Sequence, residues 1–589
     1  MTELQSKKNI SRRNFMAIAG GAAGVAAMAA LGVSAASGEC SPNIPEIDVN
    51  KIGSTEHQAD VLVVGSGMAG LFAAVKAHDA GASVLMVSKG RLGASGMTPF
   101  ARGIFAHDPA TARMNLDQFV KGVSRSALET NNPVFTRQMA AHSLERVAEL
   151  KDWGFFDTPL YANVFKKPMD QRNIPVMERV MLTHLVKENG KIAGAAGFDL
   201  DESMIHFFTA TSVVLCTGAG GFKPNGFPIC DLTHDGTMMA YDIGAKVTGK
   251  EWNDGHSANL KNPANVFGQW GRMLEGPPSI NGVDIHHDLG VDQNYNVYRQ
   301  GPEHEKNSKP PFSGQKMAGG PFRPAGFEFP GRPPIRGGDR KRHSGPPPGN
   351  GNGKGPGGPP GRGGMSSGGA SAGMSIHKSE GLVPVDVHGA SNIPGLYAAG
   401  DALGSHMSGG IYTQIGSSLA GSAVQGAIAA VAAAAYAKKI TLPVIPKEKR
   451  VNIEQKILAP LKRDRGYSPA WVTQTLQGIM IPNFVLYIKK EAMLAAALAY
   501  IEELRDHHQP MLRAADMHGL RLAHETSNMI LNAEMKLRAS MMRKESRCSH
   551  YRVDYPDMDI KNWNAWINIH KGHDGKMKLE KQPFDRWPS

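Results

Sequence analysis

Cysteine is scarce in this chain. Four occur in 589 residues, Cys40, Cys216, Cys230 and Cys548, with no CxxC and no CxxCH. The chain therefore carries no haem-attachment site and no iron–sulfur motif of its own. Excess charge is scarce too once it is located. Of the net +12, positions 1–36 hold +3 and positions 301–372 hold +7, which leaves about +2 for the rest. A body so nearly neutral excludes nucleic acid as the main partner. At 41% hydrophobic and 20% charged residues the composition is globular, and the length predicts two or three domains.

What is there is organised around Asp60–Gly70, DVLVVGSGMAG. The unbroken apolar run Val61–Val64 predicts a buried parallel strand, and Leu71–Ala80 predicts a helix stopped by Gly81. Between them Gly65, Gly67 and Gly70 permit a tight bend, a close approach of backbone to phosphate, and packing of helix on strand. The helix N-terminus adds unpaired N–H groups and positive potential, so Gly65, Ser66, Gly67, Met68, Ala69 and Gly70 form a candidate pyrophosphate cradle. A second strand, Val84–Val87, completes βαβ spacing. Ser88-Lys89 follow it, where a nicotinamide-binding unit more often places an acid, which argues against NAD.

The rest of the chain falls in order. Ser11-Arg12-Arg13-Asn14-Phe15-Met16, then an Ala/Gly-rich apolar run, resembles a twin-arginine export signal over 1–36, with Val33-Ser34-Ala35 as cleavage site. Its alanines and glycines make a poor membrane span. Residues 110–165 predict amphipathic helices; Ile192–Phe198 and His206–Leu215 predict strands, the second ending in a glycine turn at Cys216–Gly221. Asp235 opens a helix to Ile243, as a cap or as a contact to a cofactor hydroxyl. Residues 308–372 are Pro, Gly and basic, and predict a disordered insertion, a spacer or a dock for an acidic redox partner. Gly395–Asp401 predicts a strand ending in glycine and a carboxylate, and Ser417-Ser418-Leu419 opens a small-residue helix to Tyr436. Residues 450–545 predict three or four helices, and the tail Glu545–Pro556 is polar and irregular.

With those pieces in order, the chain resembles the flavoprotein subunit family of succinate dehydrogenase and fumarate reductase, with adenylylsulfate reductase as a further relative. The resemblance covers most of 58–260 and 376–565. It implies an α/β fold: a Rossmann-like FAD-binding domain (58–250 and 376–440), an inserted capping region (251–375) and a C-terminal helical domain with tail (447–570). It implies FAD on Gly65–Gly70, with further contacts at Ser88, Lys89, Ser95, Gly96, Val180, Thr217, Gly218, Asp235, Asp401, Ser418 and Leu419. No metal is implied. Members with covalent flavin have a histidine where this chain has Gly96, which implies non-covalent FAD. Glu251 and His256 keep the spacing of the family's dicarboxylate site, but its other cationic clamps find no match; Thr413 or Gln414 stands where an arginine is expected. Each desolvated carboxylate of a dicarboxylate needs charge-assisted hydrogen bonds, so fumarate and succinate are disfavoured.

The implied activity is an exported, periplasmic or extracytoplasmic FAD oxidoreductase that moves hydride between flavin N5 and a C=C or CH–CH bond of a small organic substrate. Its electrons would come from a separate cytochrome or quinol-linked protein, because NAD(P)H is scarce outside the cytoplasm. Candidate proton groups are Tyr412, His256 and Arg272, with His406, Arg547 and His550 behind them. The alternative is an FAD-containing electron-relay component of a larger complex.

Overall fold

A computed structural model describes residues 47–100, 103–112, 114–158, 161–223, 231–253, 279–281, 378–412, 416–481, 483–486 and 488–585. The export signal, the Pro/Gly-rich insertion and the candidates His256 and Arg272 lie outside the described residues.

Strand β1 (Gly53–Val64) ends in four fully buried residues, Val61–Val64, as the unbroken apolar run requires of a strand covered on both faces. It starts well before Val61, because Gly53–Ala59 pairs in register with Met204–Ala210; alternating exposure there hides the strand from an apolar-run reading. Helix α1 (Met68–Asp79) is buried along most of its length and returns the chain to β2 (Val84–Ser88), parallel to β1 with Val61 opposite Val84. Then come β3 (Gly103–Phe105), α2 (Leu116–Ser126), α3 (Pro133–Asp152), α4 (Tyr161–Asp170) and β4 (Val176–Glu178). Asn115 and Gln118 close a reciprocal capping box on α2. The antiparallel run β5 (Val180–Glu188), β6 (Lys191–Asp199) and β7 (Met204–Leu215) follows, then α5 (Asp235–Asp242), β8 (Val247–Thr248), β9 (Ser279–Asn281), β10 (Gly381–Leu382), β11 (Leu396–Ala398) and α6 (Ser417–Ala437).

The main sheet has seven strands in the order β4-β2-β1-β7-β6-β5, with β11 also paired to β7. β4, β2, β1, β7 and β11 run parallel, so their carboxyl ends converge on one edge. That is where an open α/β sheet binds ligand. Helix α6 is apolar and long enough to cross a membrane, yet 67% of its apolar window is buried inside the protein. Its small side chains instead pack on the sheet, where Ser212 donates to the Ala433 carbonyl at 3.0 Å.

The C-terminal part holds α7 (Lys447–Leu458), α8 (Pro469–Met480), α9 (Asn483–Leu486), β12 (Ile488–Lys489), α10 (Glu491–Glu503), a π-helical turn (Leu504–His508) and α11 (Met517–Met542). Leu476, Met480, Leu494, Ile501, Met529, Ile530 and Leu537 form its core. After β13 (Tyr551–Arg552) and α12 (Ile560–Trp563) the chain makes the hairpin β14 (Ala565–Lys571) and β15 (Met577–Pro583). This corrects the expectation of a helical domain and tail closing near 570. The hairpin joins a second sheet, β10-β8-β14-β15, whose outer strand, MKLEKQP, is half-charged and so carries no apolar signal.

Candidate active site

A groove opens at the carboxyl ends of β1, β2, β7 and β11. Gly65, Ser66, Gly67, Met68, Ala69, Ser88, Lys89, Ser95, Gly96, Val180, Thr217, Gly218, Asp235 and Asp401 all lie on its wall. Gly70, Ser418 and Leu419 do not; Ser422, one turn further along α6, does. Gly70 sits beneath the turn, where a Cβ would meet the Gly65 carbonyl oxygen at 1.9 Å. Gly65 itself has φ +107°, and its Cβ would meet the Cys216 carbonyl at 2.3 Å. The bend therefore needs glycine at both positions.

These residues fit a dinucleotide. Gly67, the N-cap of α1, has no side chain of its own to bond the first-turn amides, which are donors of the kind a phosphate takes. Ser66 and Ser88 hydroxyls meet at 2.6 Å, and Thr98 Oγ1 accepts from the Met68 amide at 3.1 Å, fixing the turn. Asp231, which sequence reasoning misses, accepts from the Gly96 amide at 2.9 Å.

Lys89 is the hinge of the groove. Its ammonium donates to Asp235 at 2.6 Å, to Glu525 at 2.7 Å and to Thr233 at 3.1 Å. Burial alone would lower its pKa, but the two carboxylates outweigh burial and raise it. Burial likewise works to raise the Glu525 pKa, yet Lys89, Lys223 and Arg521 hold it down at about 2. Asp235 takes a further bond from Asn528 at 2.7 Å, so α11 of the helical domain is tied to the groove wall. The capping reading of Asp235 is thereby corrected: the N-cap is His234, and the Asp235 carboxylate is committed to Lys89, Thr233 and Asn528. On the opposite wall buried Lys378, also missed, donates to Asp401 at 2.6 Å and to Ser418 at 3.3 Å.

Of the proton-group candidates, Tyr412 is half-buried and its hydroxyl accepts from the Gly416 amide at 3.1 Å, at the mouth of α6. His406, Arg547 and His550 belong to buried scaffolding, which corrects their candidacy. His406 stacks on Trp566 at 4.9 Å and meets Thr248 Oγ1 at 3.1 Å. Arg547 pairs with Glu545 at 3.0 Å and donates to Asn564. Lys489 donates to Nδ1 of His550 at 2.9 Å, and Nε2–H then donates to the Arg543 carbonyl at 3.1 Å.

Glu251 is fully buried in the same knot. One of its oxygens takes two bonds from Arg543, at 3.0 and 2.9 Å, and Arg543 also holds Glu545 at 2.8 Å. The Arg543 guanidinium lies 4.7 Å over the Trp252 ring.

Burial pushes His406 down to about 3 and holds His234 and His550 well below the ordinary imidazole value. Their folded pKa values lie below the unfolded one, so between the two the unfolded chain binds more protons and stability falls as pH falls. Each such histidine costs about 1.4 kcal/mol per pH unit below about 6.5. Thermal melts from pH 8 to 4.5 should therefore begin to drop near pH 6.5, well before carboxylates titrate; a flat profile down to pH 5 would contradict neutral burial of these rings.

Comparison with known proteins agrees with this geometry. The FAD dependent oxidoreductase family model matches residues 60–223, and the fumarate reductase flavoprotein C-terminal model matches 473–587. Groove and matches together define an FAD-dependent oxidoreductase. More narrowly, its C-terminal part is similar to that of fumarate reductase flavoproteins. It is 23% identical to a subunit of the fumarate reductase (CoM/CoB) of Methanothermobacter marburgensis, over 85% of this chain and 95% of that one. An uncharacterised FAD-dependent oxidoreductase of Methanocaldococcus jannaschii is also 23% identical, over 90% and 98%. Among solved structures, Sdh1 of Mycobacterium smegmatis superposes with TM-score 0.66 at 20% identity, covering 91% of this chain and 95% of that one. Adenylylsulfate reductase of Archaeoglobus fulgidus gives TM-score 0.66 at 18% identity, covering 93% and 99%. At those identities the superpositions establish the fold alone.

Proposed function

We propose that the protein is an exported reductase of an activated C=C bond in a small organic substrate other than fumarate, with electrons from a separate cytochrome or quinol-linked protein. The observation that carries the reading is Glu251. In the dicarboxylate pattern this glutamate is half of a Glu–His pair; here one oxygen of the buried carboxylate is held by Arg543, and His256 lies outside the described residues. A carboxylate held by an arginine in this way supports a pocket rebuilt for another substrate. FAD bound in the groove supplies hydride exchange at carbon, and the chain supplies position, exclusion of water and the paired proton. Tyr412 is the candidate proton group: its Oη accepts from the Gly416 amide at the start of the helix whose Ser422 lines the groove. FAD is held non-covalently, Gly96 having no side chain to bond it, so acid precipitation should release all flavin to the supernatant. Export rests on the twin-arginine stretch and predicts a mature N-terminus just after Ala35 by mass spectrometry.

The deciding experiment is anaerobic. Dithionite-reduced protein is mixed with fumarate, other unsaturated acids, enones and aromatic acrylates, and flavin absorbance at about 450 nm is followed. Fast re-oxidation by a compound other than fumarate is expected, with Tyr412→Phe slowing it by about a hundredfold. Re-oxidation by fumarate alone would overturn the substrate assignment. No re-oxidation by any compound would favour the electron-relay reading.

A further inference from the structure

Helix α11 has a second cleft on another of its faces. Glu525 turns to Lys89 and the FAD groove, while its neighbours His524 and Ser527 line a cleft with Lys456 of α7, Arg463, Arg505 and Gln509. No carboxylate is among the residues that line this cleft. Its cations are unevenly satisfied. Arg505 is committed to Asp506 at 2.7 Å and to Glu534 at 2.7 Å. Arg463 has only a backbone acceptor among the described residues, the Leu512 carbonyl, and burial without a counter-charge lowers its pKa. Lys456 makes no ion pair among the described residues.

A half-buried guanidinium with no carboxylate carries an uncompensated desolvation cost, which an oxyanion removes by taking two parallel N–H bonds from the fork. The wall that carries Arg505 and Gln509 is the π-helical turn Leu504–His508 running into the 3-10 turn Gln509–Met511. Such π turns are rare and recur at functional sites.

We propose that this cleft binds a compact multivalent oxyanion, a phosphate or a polycarboxylate, between Arg463 and Lys456. Neither the flavin nor the substrate of the enzyme takes part.

The test uses the full chain saturated with FAD, so that the groove cannot take up the probe. Sodium pyrophosphate and sodium citrate are titrated separately by calorimetry at constant ionic strength. Saturable one-to-one binding of at least one of them is expected; pyrophosphate alone assigns phosphate chemistry, citrate alone carboxylate chemistry. Lys456→Gln, at an exposed position that leaves the fold intact, and Arg463→Gln should each weaken binding about tenfold or more, with flavin absorbance unchanged. Absence of saturable binding by both probes, or equal affinity in wild type and Lys456→Gln, would overturn the assignment.

Discussion

Gly70→Val should purify without its flavin. The added side chain starts 1.9 Å from the Gly65 carbonyl oxygen, far inside van der Waals contact, so α1 and the turn must separate. Overpacking of this kind costs about 1–3 kcal/mol where the neighbours can yield. Here the neighbour is backbone, and Gly65 is held in turn by its amide bond to the Val87 carbonyl at 2.8 Å. The shift therefore moves the turn amides away from the phosphates, and FAD affinity should fall at least about a hundredfold. The ratio of flavin absorbance to protein absorbance measures it directly, with far-ultraviolet circular dichroism as the check on fold. A folded Gly70→Val protein with full flavin occupancy would show that the glycine turn is not the phosphate cradle. Lys89→Met, on the groove wall, provides the companion measurement; it removes the Lys89–Glu525 half of the tie between α11 and the cofactor site, leaving Asn528–Asp235, without touching the turn.

The second large effect is on stability. Arg543→Met should destabilise the protein by about 3–5 kcal/mol, the usual cost of stranding a buried charge. Arg543 is fully buried and donates to Glu251, Glu545 and the Ala565 carbonyl, the last at 2.6 Å. Removing it leaves the Glu251 carboxylate with no cation bonded to its side chain among the described residues, while Glu545 keeps Arg547. Glu251→Gln in the same background should recover a good part of the loss, since the stranded group is then neutral. Urea melts of the single and double variants decide the matter. If Arg543→Met melts like the parent, or if Glu251→Gln makes the double variant worse, the knot does not act as a coupled ion network.

Sequence and structure part company along a physical line. Glycine turns, buried parallel strands and the helix start at Ser417 are local: each is written in a handful of adjacent residues, so the groove wall from Gly65 to Asp401 is legible. What is not legible arrives from far along the chain. Glu525 and Asn528 reach Lys89 and Asp235 from the helical domain, 436 and 293 residues further along the chain. One signal for them is available. Charged residues interrupt the buried face of α11 at Glu525, Glu534 and Lys536, among Met529, Ile530 and Leu537, and a buried charge needs a partner. Arg547 and His550 mislead for the opposite reason. A polar, aromatic-flanked tail has the composition of a reactive site, but here its side chains are turned into scaffolding around Glu251, His550 being bonded at both ring nitrogens.

The hairpin β14–β15 has a bearing on how the protein folds. Ile569 pairs with Val247 and Asn568 with Thr248, so the second sheet joins segments more than 300 residues apart. Such a contact carries a large loop-closure entropy and belongs to the late, non-local part of folding. Without β14, Arg543 lacks the Ala565 carbonyl and β8 keeps only β10, which leaves an unpaired strand edge beside the buried Glu251.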